Sequence, residues 1–326
     1  MYAGAWSRIV RAIQAAHRYQ IGVLLGETCR FSNLIINNNK KDLHAAPGKQ
    51  NNDAHGGTSE KANFFNGRHN QHHTIRILQS LLHHIHQLES NTNIVGIELL
   101  NEPNPPSDKI LENWYTSAIT ALRSQDPTIP IYMGECWRTK HYAEYISHHH
   151  RSSSSLTVLD HHLYRCFTSA DIHTTAADHT HSLRDDSAST PRMLATVSEK
   201  LGRVGGGIVI GEWSGALNPG SLQRPGEDFE EKREYVNAQL ALFDKFCGGW
   251  FFWTYKKERR GDTGWSWQDA VERGIFPTLV GIKYRRIEAD DVLARTNIRD
   301  GMKDAALGKI FTFSLLFFTS SRVRET

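Results

Sequence analysis

Apolar stretches of two kinds alternate along most of the chain. Apolar positions that recur every three or four residues predict an opening helix over 5–19. Stretches of the same kind predict helices near 74–88, 107–123, 141, 193–201 and 228–246, with a polar loop over 168–190. Between the helices lie short apolar runs, which predict six β-strands within 21–25, 93–103, 129–137, 155–164, 206–214 and 248–256.

The predicted strands are apolar along their length, and each ends in polar or aromatic residues. Because a helix separates each strand from the next, a parallel sheet covered on both faces is predicted. Polar residues at the carboxyl ends of all six strands favour a (β/α)8 TIM barrel, whose active site lies at that end. A doubly wound open sheet is the alternative fold, but its ligand would lie at one switch point instead of across six strand ends.

Composition and charge exclude several classes of partner. The 326 residues carry a net charge of +3, which is too small to indicate nucleic acid or an anionic membrane as a partner. No apolar run reaches the ~18 residues that a membrane-spanning helix needs. The first residues lack the charged and apolar regions of a signal peptide, which predicts a cytoplasmic protein if Met1 is its true start.

Metal and cofactor chemistry is not indicated by the sequence. The four cysteines lack the spacing of a zinc site. Many of the 18 histidines gather at 69–73, 83–86 and 148–150, away from strand ends and without acidic companions. The glycines of 202–207 precede a strand, whereas a dinucleotide-binding loop would follow one. We therefore expect no metal and no cofactor.

Two glutamates, Glu102 and Glu212, lie at equivalent positions where predicted strands end. Carboxylates from two sides of a barrel mouth can face each other across a sugar, and a separation of about 5–5.5 Å supports a retaining glycosidase. Either glutamate alone could be an ordinary polar residue at a strand end. The pair favours catalysis, but the residues themselves do not say which glutamate is the acid and which the nucleophile.

Four motifs carry a resemblance to a known family: LNEP at 100–103, the His-x-Tyr within DHHLY at 160–164, GEWS at 211–214 and WFFWTYK at 250–256. In this order and spacing they resemble glycoside hydrolase family 5. Within that family, DLHAAPGKQN at 42–51 and DAHGGTS at 53–59 are similar to the fungal exo-1,3-β-glucanase group. The resemblance implies a monomeric β-glucan hydrolase, exo-acting on 1,3-linkages, that is secreted or bound to the cell wall.

The resemblance also implies a role for each matching residue. Glu102 would be the general acid/base and Glu212 the nucleophile. Asn101 would bind the sugar 2-hydroxyl, and Tyr164 would donate its hydroxyl to Glu212. The remaining residues would line the subsite of the sugar being cleaved, as hydrogen-bond partners or as an aromatic floor: His44, His162 and Trp253.

Two parts of the chain depart from the family pattern. Residues 1–275 match a barrel that lacks its first two strands and an active-site arginine. Residues 26–41 separate the strand at 21–25 from His44, and we interpret them as an insertion read through from an intron. Residues 276–326 are predicted to form a charged helical extension followed by an apolar tail.

Two other functions stay open from the sequence. A chain that lacks two strands could be a non-catalytic fragment that at most binds carbohydrate weakly. A β-1,6-glucanase or a cellulase could use the same fold and differ only in its loops.

Overall fold

Six parallel β-strands form the centre of the fold. The computed structural model describes residues 3–18, 22–25, 45–57, 59–88, 93–149, 156–223 and 228–277. The strands are β1 (Val23–Leu25), β2 (Ile94–Glu98), β3 (Ile131–Gly134), β4 (Thr157–Leu163), β5 (Gly207–Trp213) and β6 (Trp250–Phe252). They are hydrogen-bonded in chain order from β1 to β6. The six predicted strands are therefore confirmed.

Helices precede the first strand, separate the strands from one another and follow the last one. The predicted ones are confirmed as α1 (Ala3–Arg18), α2 (Arg68–His86), α3 (Asp108–Arg123), α4 (Thr139–His149), α7 (Ser189–Gly202) and α8 (Phe229–Phe246). The described chain also contains α5 (Ser169–His173), α6 (Ala176–Arg184) and α9 (Trp267–Glu272). The sequence pattern did not predict these last three helices.

The prediction of a polar loop over 168–190 is wrong, because α5 and α6 lie within it. Both helices are short, so they show too little apolar periodicity to detect. Their starts are instead fixed by capping. The side chains of Thr168 and Thr175 accept hydrogen bonds from the backbone N–H groups of Asp171 and Asp178, respectively.

The sheet has a different apolar layer on each face. The main core packs the sheet against the helices through side chains such as Ile97, Leu159 and Ile210. A smaller cluster of Tyr132, Val158 and Val209 occupies the opposite, inner face of the curled sheet. Sequential parallel order with covering helices is the arrangement of a (β/α)8 barrel, and six of its strands are described here. A doubly wound sheet would reverse its strand order, so that alternative is wrong.

Several predictions lie outside the described residues. They are the insertion at 26–41, His44, and all but the first two residues of the extension at 276–326. Within the ranges that the structure describes, no helix is both long and apolar enough to cross a membrane.

Trp213 is the centre of the packing beneath the end of β5. Its ring is fully buried and contacts Phe243, Phe252 and Trp250 at centroid distances of 5.2, 5.0 and 5.4 Å. We expect Trp213→Ala to lower the free energy of unfolding by about 3–5 kcal/mol, because it removes a large side chain from a packed core. Urea denaturation would measure this loss.

Trp137→Ala is the matched control, because Trp137 is 56% exposed. Its loss is expected to stay within about 0.5 kcal/mol. Equal losses in the two variants would contradict the central role of Trp213 in the core.

Candidate active site

The carboxyl ends of the strands bring several predicted site residues to one edge of the sheet. Asn101 and Glu102 follow β2, His162 lies near the end of β4, Glu212 lies in β5 and Trp253 directly follows β6. Because neighbouring parallel strands end at the same edge, these residues converge there. The side chains of Glu102, His162 and Glu212 are in mutual contact range.

His162 lies between the two glutamates. Its Nδ1 atom is 2.7 Å from Oε1 of Glu102 and 3.5 Å from Oε2 of Glu212. One carboxylate oxygen of each glutamate lies within 4.8 Å of the other. An oxygen–oxygen distance this short fits the closely spaced carboxyl groups of a retaining glycosidase, about 5–5.5 Å apart, better than those of an inverting one, about 6.5–9.5 Å apart.

A register shift in β5 turns Glu212 toward the inner face of the sheet. His161 pairs with Ile210 and His162 pairs with Glu212, so β5 has one extra residue, Gly211, between them. If side chains alternated regularly along β5, Glu212 would point to the same core-facing side as Ile210. The extra residue shifts the alternation by one, so that Glu212 points to the inner face. A Cβ at position 211 would collide with the buried carboxylate of Asp160, so any larger residue there would force Asp160 to move.

Tyr164 holds the second glutamate. Its hydroxyl donates a hydrogen bond to Oε2 of Glu212 at 2.7 Å. Burial and the negative charge of Glu212 raise the pKa of Tyr164 well above its ordinary value, so the hydroxyl keeps its proton. Tyr164 is therefore a permanent donor to Glu212.

Two buried amides fix the backbone at Asn101 and Glu102. Gln50 donates to the carbonyl oxygen of Asn101 at 3.0 Å, and Asn51 donates to that of Glu102 at 2.8 Å. Glu102 has φ = 41°, which places it in the sparsely populated left-handed region. Such a conformation persists only where its surroundings hold it, and the two amides supply that restraint.

Glu102 accepts hydrogen bonds from two histidines. His162 Nδ1 contacts Oε1, and His55 Nε2 contacts Oε2 at 2.9 Å. Burial by itself would raise the pKa of Glu102, but the two histidines outweigh it and hold the pKa well below its usual range. Burial would lower the pKa of His162, but the nearby carboxylates raise it well above its ordinary value. In the free protein Glu102 is thus an ionised carboxylate.

Two more carboxyl groups lie deeper on the inner face. Asp160 is 3% exposed, and its Oδ1 lies 3.9 Å from His162 Nε2. Burial raises the pKa of Asp160 to about 6 and that of Glu98 to about 8. Donor atoms of Glu98, Asp160 and His162 lie within 4.8 Å of one another. Such spacing is compatible with a bound cation, so the expectation of no metal stays a prediction.

Aromatic side chains surround Tyr164 on its solvent side. The rings of Phe167 and Trp265 lie 5.3 and 5.5 Å from the ring of Tyr164, and Phe167 is 69% exposed. Trp253 is half-buried after β6. The C–H faces of a sugar pack well on such rings, so the arrangement can bind a carbohydrate beside the carboxylates.

Sequence reasoning missed several residues of this site, and it named one that the structure does not describe. The carboxylate contact of His55, the amides of Gln50 and Asn51, and the buried Asp160 were not predicted. The sequence signal for Gln50, Asn51 and His55 is the clustering of Gln, Asn, Asp and His at 50–55, whereas Asp160 is the first residue of DHHLY at 160–164. His44 lies outside the described residues.

Comparisons with known proteins find similar sequences over most of this chain. A family model described as cellulase (glycosyl hydrolase family 5) matches residues 42–270. The glucan 1,3-beta-glucosidase 3 of Schizosaccharomyces pombe is 30% identical and covers 85% of this chain and 52% of its own length. The probable glucan endo-1,6-beta-glucosidase B of Neosartorya fischeri is 25% identical and covers 74% of this chain and 60% of its own length.

Solved structures share the fold. The structure of a rutinosidase from Aspergillus niger matches with a TM-score of 0.61 at 17% identity, and the match covers 81% of this chain and 70% of that one. At this identity the likeness shows the fold alone. The chain spans about half the length of the Schizosaccharomyces pombe relative, 52%.

Proposed function

Because the chain belongs to glycosyl hydrolase family 5, the cellulase family, we propose that it hydrolyses β-glucan with retention of anomeric configuration. The observation that carries the proposal is the pair Glu102 and Glu212, in which one carboxylate oxygen of Glu102 lies within 4.8 Å of one of Glu212 at the carboxyl end of the strands. Relatives of this chain include glucan 1,3-beta-glucosidases, which supports β-glucan as the substrate class.

In the first step, Glu212 would attack the anomeric carbon while Glu102 protonates the departing glycosidic oxygen. The Tyr164 hydroxyl stabilises the charge of Glu212 and fixes the direction of its oxygen. The bond from Glu212 to the sugar forms as the bond to the leaving oxygen breaks. The product of this step is a covalent glycosyl-enzyme.

In the second step, Glu102 would act as the base. It takes a proton from water, which attacks the anomeric carbon and releases Glu212. The ionised state that two histidines give Glu102 suits this step directly. The same state is unsuited to the first step, in which Glu102 must carry a proton.

We further propose that Asn101 binds the sugar 2-hydroxyl, that His162 and His44 are hydrogen-bond partners in the subsite, and that Trp253 is its aromatic floor. Exo-action on 1,3-linkages and a secreted or cell-wall location are proposed on the names of the relatives and on the family resemblance. One relative in the same family bears a 1,6-glucanase name, so 1,6-linked glucan is the second candidate substrate.

Glucose release from 1,3-linked and 1,6-linked glucans, followed by NMR, would test the proposed function. We expect β-glucose as the first anomer released from the 1,3-glucan, and no release by Glu212→Gln. Glucose without longer fragments would support exo-action, and longer fragments would contradict it. First appearance of the α-anomer would contradict retention. No release by a folded wild-type chain on either glucan would favour the non-catalytic alternative.

A further inference from the structure

His55 contacts the acid/base carboxylate from a loop that the proposed mechanism does not use. It lies in a short 3-10 helix, Ala54–Gly56, and its Nε2 is 2.9 Å from Oε2 of Glu102. The other oxygen, Oε1, accepts a hydrogen bond from the buried His162. The His55 side chain is 32% exposed, whereas that of Glu102 is 11% exposed. Oε2 therefore faces the more open side of the site.

The surroundings of His55 Nε2 can satisfy that atom with or without a proton. With a proton it donates to Oε2 of Glu102. Without a proton its lone pair can accept from Nδ2 of Asn51, which lies 3.0 Å away. The same Asn51 amide has a second hydrogen, which donates to the carbonyl oxygen of Glu102 at 2.8 Å. Neither protonation state of His55 Nε2 leaves that atom without a partner, so losing the proton costs His55 no hydrogen bond at Nε2.

We propose that His55 stores the acid proton in the free enzyme and delivers it through Glu102 to the leaving oxygen of a bound β-glucan. The inference rests on the proposed function. In the first step the proton moves from His55 Nε2 to Glu102 Oε2, and then to the glycosidic oxygen as its bond to carbon breaks. In the second step the proton of the attacking water reaches Glu102 and returns to His55. The cycle neither gains nor loses a proton.

The charges around His55 favour its protonated form in the free enzyme. Acidic groups face it from three elements: Glu102 after β2, Glu212 in β5, and Asp53 in its own loop. Two basic groups lie near: His162 on the far side of Glu102, and Lys49, whose side chain packs beside Gly56. Burial alone would lower the pKa of His55, but the hydrogen bond and charge of Glu102 and the other carboxylates raise it above 6.5.

The pH dependence of His55→Gln tests the proposal, because glutamine can keep a hydrogen bond to Glu102 but cannot supply a proton. In the wild type, His55 and Glu102 share the acid proton, and the pKa of His55 sets the pH at which they lose it. In the variant, Glu102 is the only member of the pair that can carry the acid proton. The hydrogen bond from His162 still keeps the pKa of Glu102 low, so this proton is lost at a lower pH. We expect the alkaline limb of kcat/KM to move to lower pH by about one unit or more, with a loss of about tenfold at pH 7. An alkaline limb that stays in place or moves to higher pH would overturn the proposal.

Leaving-group dependence separates proton supply from a merely structural effect. A 2,4-dinitrophenyl β-glucoside needs no protonation of its leaving group, whereas a 1,3-linked disaccharide does. The loss in His55→Gln should therefore be about tenfold larger on the disaccharide than on the aryl glucoside at pH 7. Equal losses on the two substrates at every pH would overturn the proposal. His72→Gln, at an exposed histidine on α2, is the matched control and should leave both profiles unchanged.

An NMR titration of the histidine side chains tests the same pair without catalysis. The His55 signal is identified by its absence in His55→Gln. Its pKa should lie above 6.5 in the wild type and fall in Glu102→Gln, where the carboxylate charge is removed. An unchanged His55 pKa in that variant would overturn the proposal. If the wild type releases no sugar, the proposed function fails, while the titration still reports on the proton that the pair shares.

Discussion

Glu212→Ala should abolish hydrolysis of 1,3-linked glucan, with kcat falling by about 10⁴-fold or more, because the covalent step loses its nucleophile. The environment of Glu212 supports this role. The Tyr164 hydroxyl donates a hydrogen bond to Oε2 of Glu212 at 2.7 Å. Because the pKa of Tyr164 is raised, the hydroxyl keeps its proton and Glu212 keeps the negative charge. The extra residue in β5 turns the carboxylate toward the inner face, where the sugar would bind.

Azide distinguishes a missing nucleophile from a damaged fold. The space left by the Glu212 carboxylate can admit azide, which would attack an activated aryl β-glucoside from the same side. We expect restored turnover in Glu212→Ala and α-glucosyl azide as the product, identified by NMR. A β-glucosyl azide, or no rescue in a variant whose melting temperature matches the wild type, would contradict the assignment of Glu212. Thr190→Ala is a suitable control, because Thr190 contacts Arg165 outside the carboxylate pair.

The strand pattern predicted the sheet well because buried parallel strands are apolar throughout. Ile131 and Tyr132, for example, point to opposite faces of β3 and are both buried, as a strand covered on both faces requires. The pattern could not show α5 and α6, because helices this short have no full apolar stripe. Only the Thr-x-x-Asp spacing at Thr168 and Thr175 indicated where they begin.

The sequence predicted the site only in part, because the contacts between its side chains depend on loop conformation and on the register of the strands. The strand-end positions of Glu102 and Glu212 followed from the motifs. The orientation of Glu212 did not, since a single extra residue at Gly211 reverses the face that it occupies. The approach of His55 to Glu102 depends on how a loop rich in Asn and Gly folds, and no periodic pattern encodes that path. The buried Asp160 resembled any polar residue in a strand end.

Glu102→Ala should give a different signature, which depends on the leaving group. Hydrolysis of a 1,3-linked disaccharide should fall by about 10²–10⁴-fold, because its alkoxide leaves poorly without a proton. A 2,4-dinitrophenyl β-glucoside should still form the glycosyl-enzyme through Glu212. Without a base, however, water attacks the intermediate slowly. Stopped-flow absorbance should therefore show a burst of one dinitrophenolate per active site, followed by slow turnover.

Azide again reports which step has been impaired. Azide needs no base, so in Glu102→Ala it should intercept the glycosyl-enzyme and give β-glucosyl azide, the opposite anomer to that expected from Glu212→Ala. Opposite anomers from the two variants would assign the acid/base and the nucleophile, which the symmetry of two strand-end glutamates leaves undecided in the sequence. The α-anomer from Glu102→Ala, or equal losses on the disaccharide and the aryl glucoside, would contradict the role of Glu102. In that case the contacts of its two oxygens with His162 and His55 would serve the structure of the site instead of proton transfer.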